Sequence, residues 1–176
     1  LSIGAVARQV GVVSSALYRH FDGKDAIINA LLEFIESRLI RNVADARAAA
    51  ENPVSALEAL FRLHVKLVRG NAGIPRIVFS EEVYAGNSHR KDRMYRLLQR
   101  YVDQVAELFR EGQNVGTVRT DIGADELGVM FLGLIQPAAI LWHTSDGKFD
   151  VTRQTEKAWR VFRDAIDIRQ ADDRRR

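Results

Sequence analysis

Between Leu17 and Phe21 the chain sets a tyrosine, an arginine and a histidine side by side, Tyr18, Arg19 and His20, and Lys24 follows shortly after. Leu17 and Phe21 stand at i and i+4, so they share one face of a short helix and can pack down on a neighbouring element. Tyr18 and His20 can then hydrogen-bond phosphate oxygens, and Lys24, at the positive N-terminus of the next helix, can add an ion pair. Ser14, Ser15 and Ala16 are small enough to let the front of the helix approach base edges. Arg19 lies on or near the same outward side, with no role that its spacing assigns. Phosphate contacts of this kind hold a protein on DNA while carrying little base information.

The residues just upstream supply the support such a helix needs. Ser2 can cap a preceding helix whose inner face is Val6, Ala7 and Val10. Gly11 suits the left-handed position that ends it, and Val12 plugs the corner between the two helices. This is helix-turn-helix geometry, in which the second helix enters the major groove. Residues 1–24 carry Arg8, Arg19 and Lys24 against Asp22 alone, whereas the whole 176-residue chain has a net charge of only +3. The mild total permits an anionic partner; the local excess places it at the N-terminal end.

A second set of polar and aromatic residues lies on apolar faces further along. His64 falls on the stripe of Leu57, Leu60, Phe61 and Leu67, where a histidine is either a hydrogen-bonded core residue or a ligand contact. Gln136 sits beside Pro137 in an uncharged segment, so its amide needs a partner, and the proline frees a carbonyl. With Phe79, Tyr101, Phe131 and Trp142 these residues make a candidate pocket for a hydrophobic or planar small molecule. Glu81 and Glu82 with His89 match no established metal-ligand spacing. Neither H-E-x-x-H, nor an E-x-x-H pair, nor a glycine-rich phosphate loop is present, so no catalytic site and no cofactor is expected. Arg90, Lys91, Arg93, Arg96 and Arg100 form a basic strip, read as a solvated face or as a patch for an anion.

The elements that must position these groups are all helical. Three prolines, long runs at 3.6-residue spacing and no sustained alternation argue for an all-α chain. Helices are expected over 1–11, 14–21, from Lys24 to a break at Asn52-Pro53, and on to Gly70-Asn71. A short helix should begin at Pro75 and a long amphipathic one should carry Met94 to Phe109, with the last two over 124–144 and 151–169. Hydrophobic residues at 47% support a sizeable core. The absence of cysteine excludes disulfides and thiolate metal sites and fits a reducing compartment, the cytoplasm. The tail from Asp172 to Arg176 reads as a frayed end.

The penultimate helix carries no charge from Leu127 to Trp142 and is apolar nearly all round. A membrane span needs about 20 predominantly apolar residues, and this run is shorter and includes Gln136 and Pro137. The remaining choices are a core helix covered within one chain, or one covered partly by a second chain. The last helix favours the second, with an aromatic stripe of the kind interface cores use. The expected two-fold homodimer interface comprises Leu127, Met130, Leu134, Ala138 and Leu141 with Thr155, Trp159, Phe162 and Ile166.

The run I-G-A-V-A-R-Q-V-G-V-V-S-S-A-L-Y-R-H-F-D-G-K-D-A-I, beginning at Ile3, resembles the DNA-binding signature of tetracycline-repressor (TetR) family regulators. Ser2 stands at the family's Thr position, Val6-Ala7 at Ile-Ala and Gly11-Val12 at Gly-Val, while Leu17-Tyr18, His20-Phe21 and Lys24 match as they stand. Val13 replaces the usual Ser or Thr cap, which Ser14 can take over, and Ser15 replaces a common glycine. The stretch F-R-E-G-Q-N-V-G-T-V-R-T-D-I (109–122) is similar to many members as well. The resemblance implies a dimeric, ligand-responsive transcriptional regulator, usually a repressor of a palindromic operator. It also implies phosphate contacts from Ser2, Tyr18, His20 and Lys24, and a first helix ahead of Ser2, in keeping with a chain that opens at Leu1.

The expected division is a helix-turn-helix domain over 1–48 and a ligand-binding and dimerisation bundle over 49–176. The partners are double-stranded DNA, a small effector and a second copy of the chain, with no membrane. Two alternatives stand beside this reading: a nucleoid-associated DNA-binding protein without a small effector, and an all-α binding domain or enzyme that never meets DNA.

Overall fold

The computed structural model describes residues 21–71, 73–78, 81–84 and 88–168. Those residues build an all-α fold, from α1 (Lys24–Ala49), α2 (Pro53–Gly70), α3 (Gly73–Val78) and α4 (Glu81–Tyr84) to α5 (Ser88–Asn114), α6 (Ala124–Thr144) and α7 (Val151–Ile166). The helix expected from Pro75 is described as two pieces, α3 and α4.

The break between α1 and α2 follows from its sequence. Pro53 is the first residue of α2, where its missing N–H costs nothing. Asn52 caps the helix: its side-chain oxygen accepts from the Ser55 N–H at 2.9 Å, and the Asn52 N–H donates to Ser55 Oγ at 3.2 Å. This reciprocal pair satisfies two amides that helix ends leave open.

α1 presents Ile27, Ile28, Leu32, Ile35, Leu39, Val43 and Ala46 as one buried stripe. It packs on α2 and α5, and its polar edge is clipped to α5 by four ion pairs, three of them from its own carboxylates. Asp25 meets Arg90 at 2.8 Å, Glu33 meets Arg93 at 3.0 Å, Glu36 meets Arg100 at 3.3 Å and Arg47 meets Glu111 at 2.6 Å. The rising order of the partners shows that α1 and α5 run in the same direction. Three members of the basic strip are therefore engaged by the chain's own carboxylates rather than turned wholly to solvent.

α6 packs on α5 and α7, and on α5 through close backbone approach. A Cβ at Gly128 would stand 3.1 Å from the Val102 carbonyl oxygen, tighter than ordinary packing allows. At the end of α5, a Cβ on Gly112 would come within 2.6 Å of Val118. The glycine makes room for Val118, which is wholly buried and fills the corner before α6. Gln113 holds that corner by donating to the carbonyls of Arg119 and Ile122, and the Arg119 N–H donates to the Ile166 carbonyl at the end of α7.

The core is widest where α2, α5, α6 and α7 meet. Phe61 stacks on Trp159 with centroids 5.3 Å apart and meets Phe131 edge-on at 5.5 Å; Phe109 lies edge-on to both Phe131 and Phe162. At 21 residues, α6 is long and apolar enough to cross a membrane by length and composition, and a third of its most apolar window is buried. The apolar surface of α6 that the bundle leaves uncovered forms one face, described below.

Candidate functional site

Of the eight residues expected at DNA, Ser2, Ser14, Ser15, Ala16, Tyr18, Arg19 and His20 lie outside the described residues, as does Phe79 of the candidate pocket. Lys24 is the first residue of α1, so the expected DNA-binding segment leads directly into the helix that enters the bundle.

A cavity of about 50 Å³ opens among α1, α2, α3, α5 and α6. Ile35 and Leu39 of α1 form one wall, and Leu67 and Val68 of α2 and Met94, Leu97 and Leu98 of α5 form others. Ile74, Pro75 and Val78 cover it from the short α3, and Leu132, Ile135 and Ala139 close it from α6. Two polar side chains reach this apolar space, His64 and Gln136. His64 is buried, and its Nδ1 is 2.9 Å from the hydroxyl of Tyr101, which is wholly buried behind it. Burial lowers the His64 pKa from its ordinary 6.5 to about 4, leaving a neutral ring at neutral pH. Burial likewise pushes the Tyr101 hydroxyl upward, so that it stays protonated. With Nδ1 engaged by Tyr101, the ring holds one orientation at the cavity edge, and Gln136, on α6, is half-buried in the same lining.

The structure thus gathers His64 and Gln136 into one site, with Tyr101 as the group that orients His64. It separates the other two aromatics from it. Phe131 is wholly buried in the ring cluster with Phe61, Phe109 and Trp159. Trp142 packs at the turn between α6 and α7, where the Gly147 N–H donates to its carbonyl. Neither lines the cavity: the Phe131 ring is wholly buried, and Trp142 is half-buried. The cavity's aliphatic lining carried no signal in the sequence, since each residue there looks like ordinary core.

The interface residues divide in the same way. Thr155, Trp159, Phe162 and Ile166 are buried by the protomer's own core, and so are Leu127 and Ala138; Leu134 is half-buried against it. Thr155 Oγ1 donates to the Val151 carbonyl at 2.7 Å. The stripe of α7 faces inward, onto the protomer's own core. Met130 and Leu141 are half exposed, at 49% and 50%, and share the outer face of α6 with Val129, Gly133, Pro137 and Ile140. On α7, Val161 is a further exposed apolar residue, at 72%.

Residues 1–31 match the family profile described as bacterial regulatory proteins, tetR family, and residues 33–165 match that of YsiA-like protein, C-terminal region. The nucleoid occlusion factor SlmA of Vibrio vulnificus is 25% identical over 162 residues, spanning 92% of this chain and 83% of that protein. In fold, the chain is similar to the transcriptional regulator FadR of Bacillus subtilis in complex with stearoyl-CoA, with a TM-score of 0.71 and 18% identity across 92% of this chain and 87% of that one. It is also similar to the ketosteroid transcriptional regulator KstR2 of Mycobacterium tuberculosis, with a TM-score of 0.75 and 17% identity across 95% and 85% of the two chains. The two profiles cover nearly the whole chain and join inside α1, the helix that links the expected DNA-binding segment to the cavity. The chain belongs to the tetR family of bacterial regulatory proteins and is a DNA-binding transcriptional regulator.

Proposed function

We propose that the chain is a repressor that holds a palindromic operator as a homodimer and releases it when a small hydrophobic effector enters the central cavity. The cavity wall carries this reading. Ile35 and Leu39 belong to α1, whose N-terminal turn follows the helix-turn-helix segment, so a molecule pressing on them acts on the DNA-binding half directly. The present space is far below the roughly 300 Å³ of an ordinary small-molecule site, so an effector binds an opened state and draws the equilibrium toward it. The six-residue α3 is the thinnest part of the enclosure. The lining selects an apolar body with few polar handles, and stearoyl-CoA in FadR is a ligand of that general character.

The second copy covers the outer face of α6. Gly133 lies in the middle of that face with nothing within 4 Å of an added Cβ, so Gly133→Leu fits the protomer and obstructs a helix packed against it. Sedimentation should show this variant as a folded monomer beside a dimeric parent. The protein acts in the cytoplasm, on the nucleoid when DNA-bound, and carries out no chemical reaction.

The test is fluorescence anisotropy on the promoter DNA upstream of the protein's own gene, titrated with apolar ligands including stearoyl-CoA. Release of DNA is expected from an apolar ligand, and His64→Leu and Gln136→Leu should each weaken that release at least about tenfold, the cost of one lost hydrogen bond to a buried polar group. Unchanged response in both variants removes the cavity as the effector site. The relationship to SlmA favours a second reading, a nucleoid-associated protein with no effector. It prevails if DNA binding is steeply salt-dependent, no apolar ligand releases the DNA and none copurifies with the protein.

A further inference from the structure

On the opposite side of α2 from the cavity, a groove of about 440 Å³ runs between α2 and α7. Its α2 wall carries Arg62, Lys66 and Arg69, at i, i+4 and i+7 on one face, and its α7 wall carries Thr152, Thr155 and one carboxylate, Glu156. Arg62 is paired with Glu58 at 2.7 Å. Lys66 and Arg69 have no carboxylate within 4 Å among the described residues, and both are exposed. Phe61 and Val65 supply an apolar floor.

The α7 side adds hydrogen-bonding capacity that the protein leaves unused. Thr152 lines the groove, and its Oγ1 is turned away from solvent with no hydrogen-bond partner among the described residues. Trp159 Nε1, on the same face of α7 two turns along but behind the groove rather than lining it, is likewise buried without one among the described residues. Buried polar groups are almost always satisfied, so an orphan beside an open groove points to a missing partner. The complementary molecule is acceptor-rich and negative, with a small apolar body for the floor. Its volume matches an ordinary small-molecule site, roughly 300–1,000 Å³. Thr152 and Val161 are nine residues apart, which at 3.6 residues per turn puts them on opposite sides of α7. Pairing of the outer α6 face and Val161 with a second copy therefore leaves the groove open.

We propose that the α2–α7 groove is a second ligand site, distinct from the central cavity, that binds a small organic anion, a phosphate or carboxylate on an apolar body. Lys66 and Arg69 hold the charge, the Thr152 side chain turns its hydroxyl into the groove to donate to it, and Phe61 and Val65 take the apolar part.

Isothermal titration of the full chain at fixed ionic strength tests this with phenyl phosphate, benzoate, inorganic phosphate and phenol as separate arms. One phenyl phosphate or benzoate per protomer is expected, bound at least about tenfold more tightly than inorganic phosphate, with phenol silent; the stronger of the first two identifies the head group. Lys66→Ala and Arg69→Ala, both at exposed positions, should each weaken binding about tenfold, and Thr152→Val several-fold. His64→Leu should leave it unchanged; loss of binding there would place the anion in the central cavity and overturn the assignment. Equal affinity for inorganic phosphate, or an unaltered isotherm in the Lys66→Ala/Arg69→Ala double variant, would overturn it as well.

Discussion

Along the single helix α2, Phe61 and His64 look into very different interiors. Phe61 enters a cluster with Phe109, Phe131, Trp159 and Phe162, in which every ring meets another edge-on, stacked or tilted at 5.3 to 6.3 Å. One turn later His64, with Leu67 and Val68, borders a cavity whose other walls are apolar but for Gln136 and whose cover is a six-residue helix. Interlocked rings hold one geometry, because edge-to-face contacts are directional and close-packed cores have no room to slide. Aliphatic walls around a space can separate without losing directional contacts. The same bundle thus carries a fixed half, which keeps α5, α6 and α7 in register, and a yielding half that touches the helix leading to DNA.

The sharpest way to break this contrast is to truncate a ring at the fixed end. Phe131→Ala should cost about 4 kcal/mol, as expected for a buried phenylalanine whose neighbours cannot collapse, measured by urea denaturation. A cost below about 2 kcal/mol would mean that the cluster relaxes as freely as the cavity end.

At the yielding end the largest effect comes from pH. The folded His64 pKa of about 4 lies below the ordinary 6.5, so the unfolded chain takes up the proton first. The stability contributed by the neutral ring is complete above pH 6.5 and is lost as pH falls toward 4. The loss is on the order of 3 kcal/mol over that window, and His64→Leu should remove it from the stability–pH profile. At neutral pH His64→Leu costs about 1–3 kcal/mol by leaving the Tyr101 hydroxyl unpaired. Adding Tyr101→Phe should recover about 1 kcal/mol of that, a coupling that a double-mutant cycle reads directly.

Enlarging alanines separates the two halves at smaller scale. Ala106, buried where α5 meets Gly128 of α6, should lose about 1–3 kcal/mol as Ala106→Val through overpacking. Ala139→Val, which grows into the cavity, should change stability by less than about 1 kcal/mol and weaken any effector that fills that space. The smallest effect belongs to the clips between α1 and α5. The coupling of Arg93 with Glu33 should be about 0.2–1 kcal/mol in a double-mutant cycle and should shrink in high salt.

Much of the fold was legible from residue types. The apolar stripe of α1, the stop at Asn52-Pro53 and the uncharged run of α6 each report a local rule of periodicity, capping or burial, and the structure follows them. His64 and Gln136 were visible as candidates because a polar side chain on an apolar face has to be satisfied. Their meeting at one cavity was not visible, since they lie on different helices and the aliphatic residues between them carry no distinguishing chemistry. Tyr101 joins His64 from 37 residues away, a pairing that no local spacing encodes.

The stripe of Thr155, Trp159, Phe162 and Ile166 marks where the two levels part. Sequence by itself determined that this face of α7 is covered, because aromatic and aliphatic residues at helical spacing must leave water. It also determined the family, through a signature whose spacing runs from Ser2 to Lys24. Only the tertiary structure decided that the cover is the chain's own Phe61, Phe109 and Phe131, leaving Val129, Met130, Ile140, Leu141 and Val161 as the large apolar side chains of α6 and α7 that still face outward. A hydrophobic stripe records how much area must be buried; which surface buries it depends on where the other helices end, and that is a property of the assembled bundle.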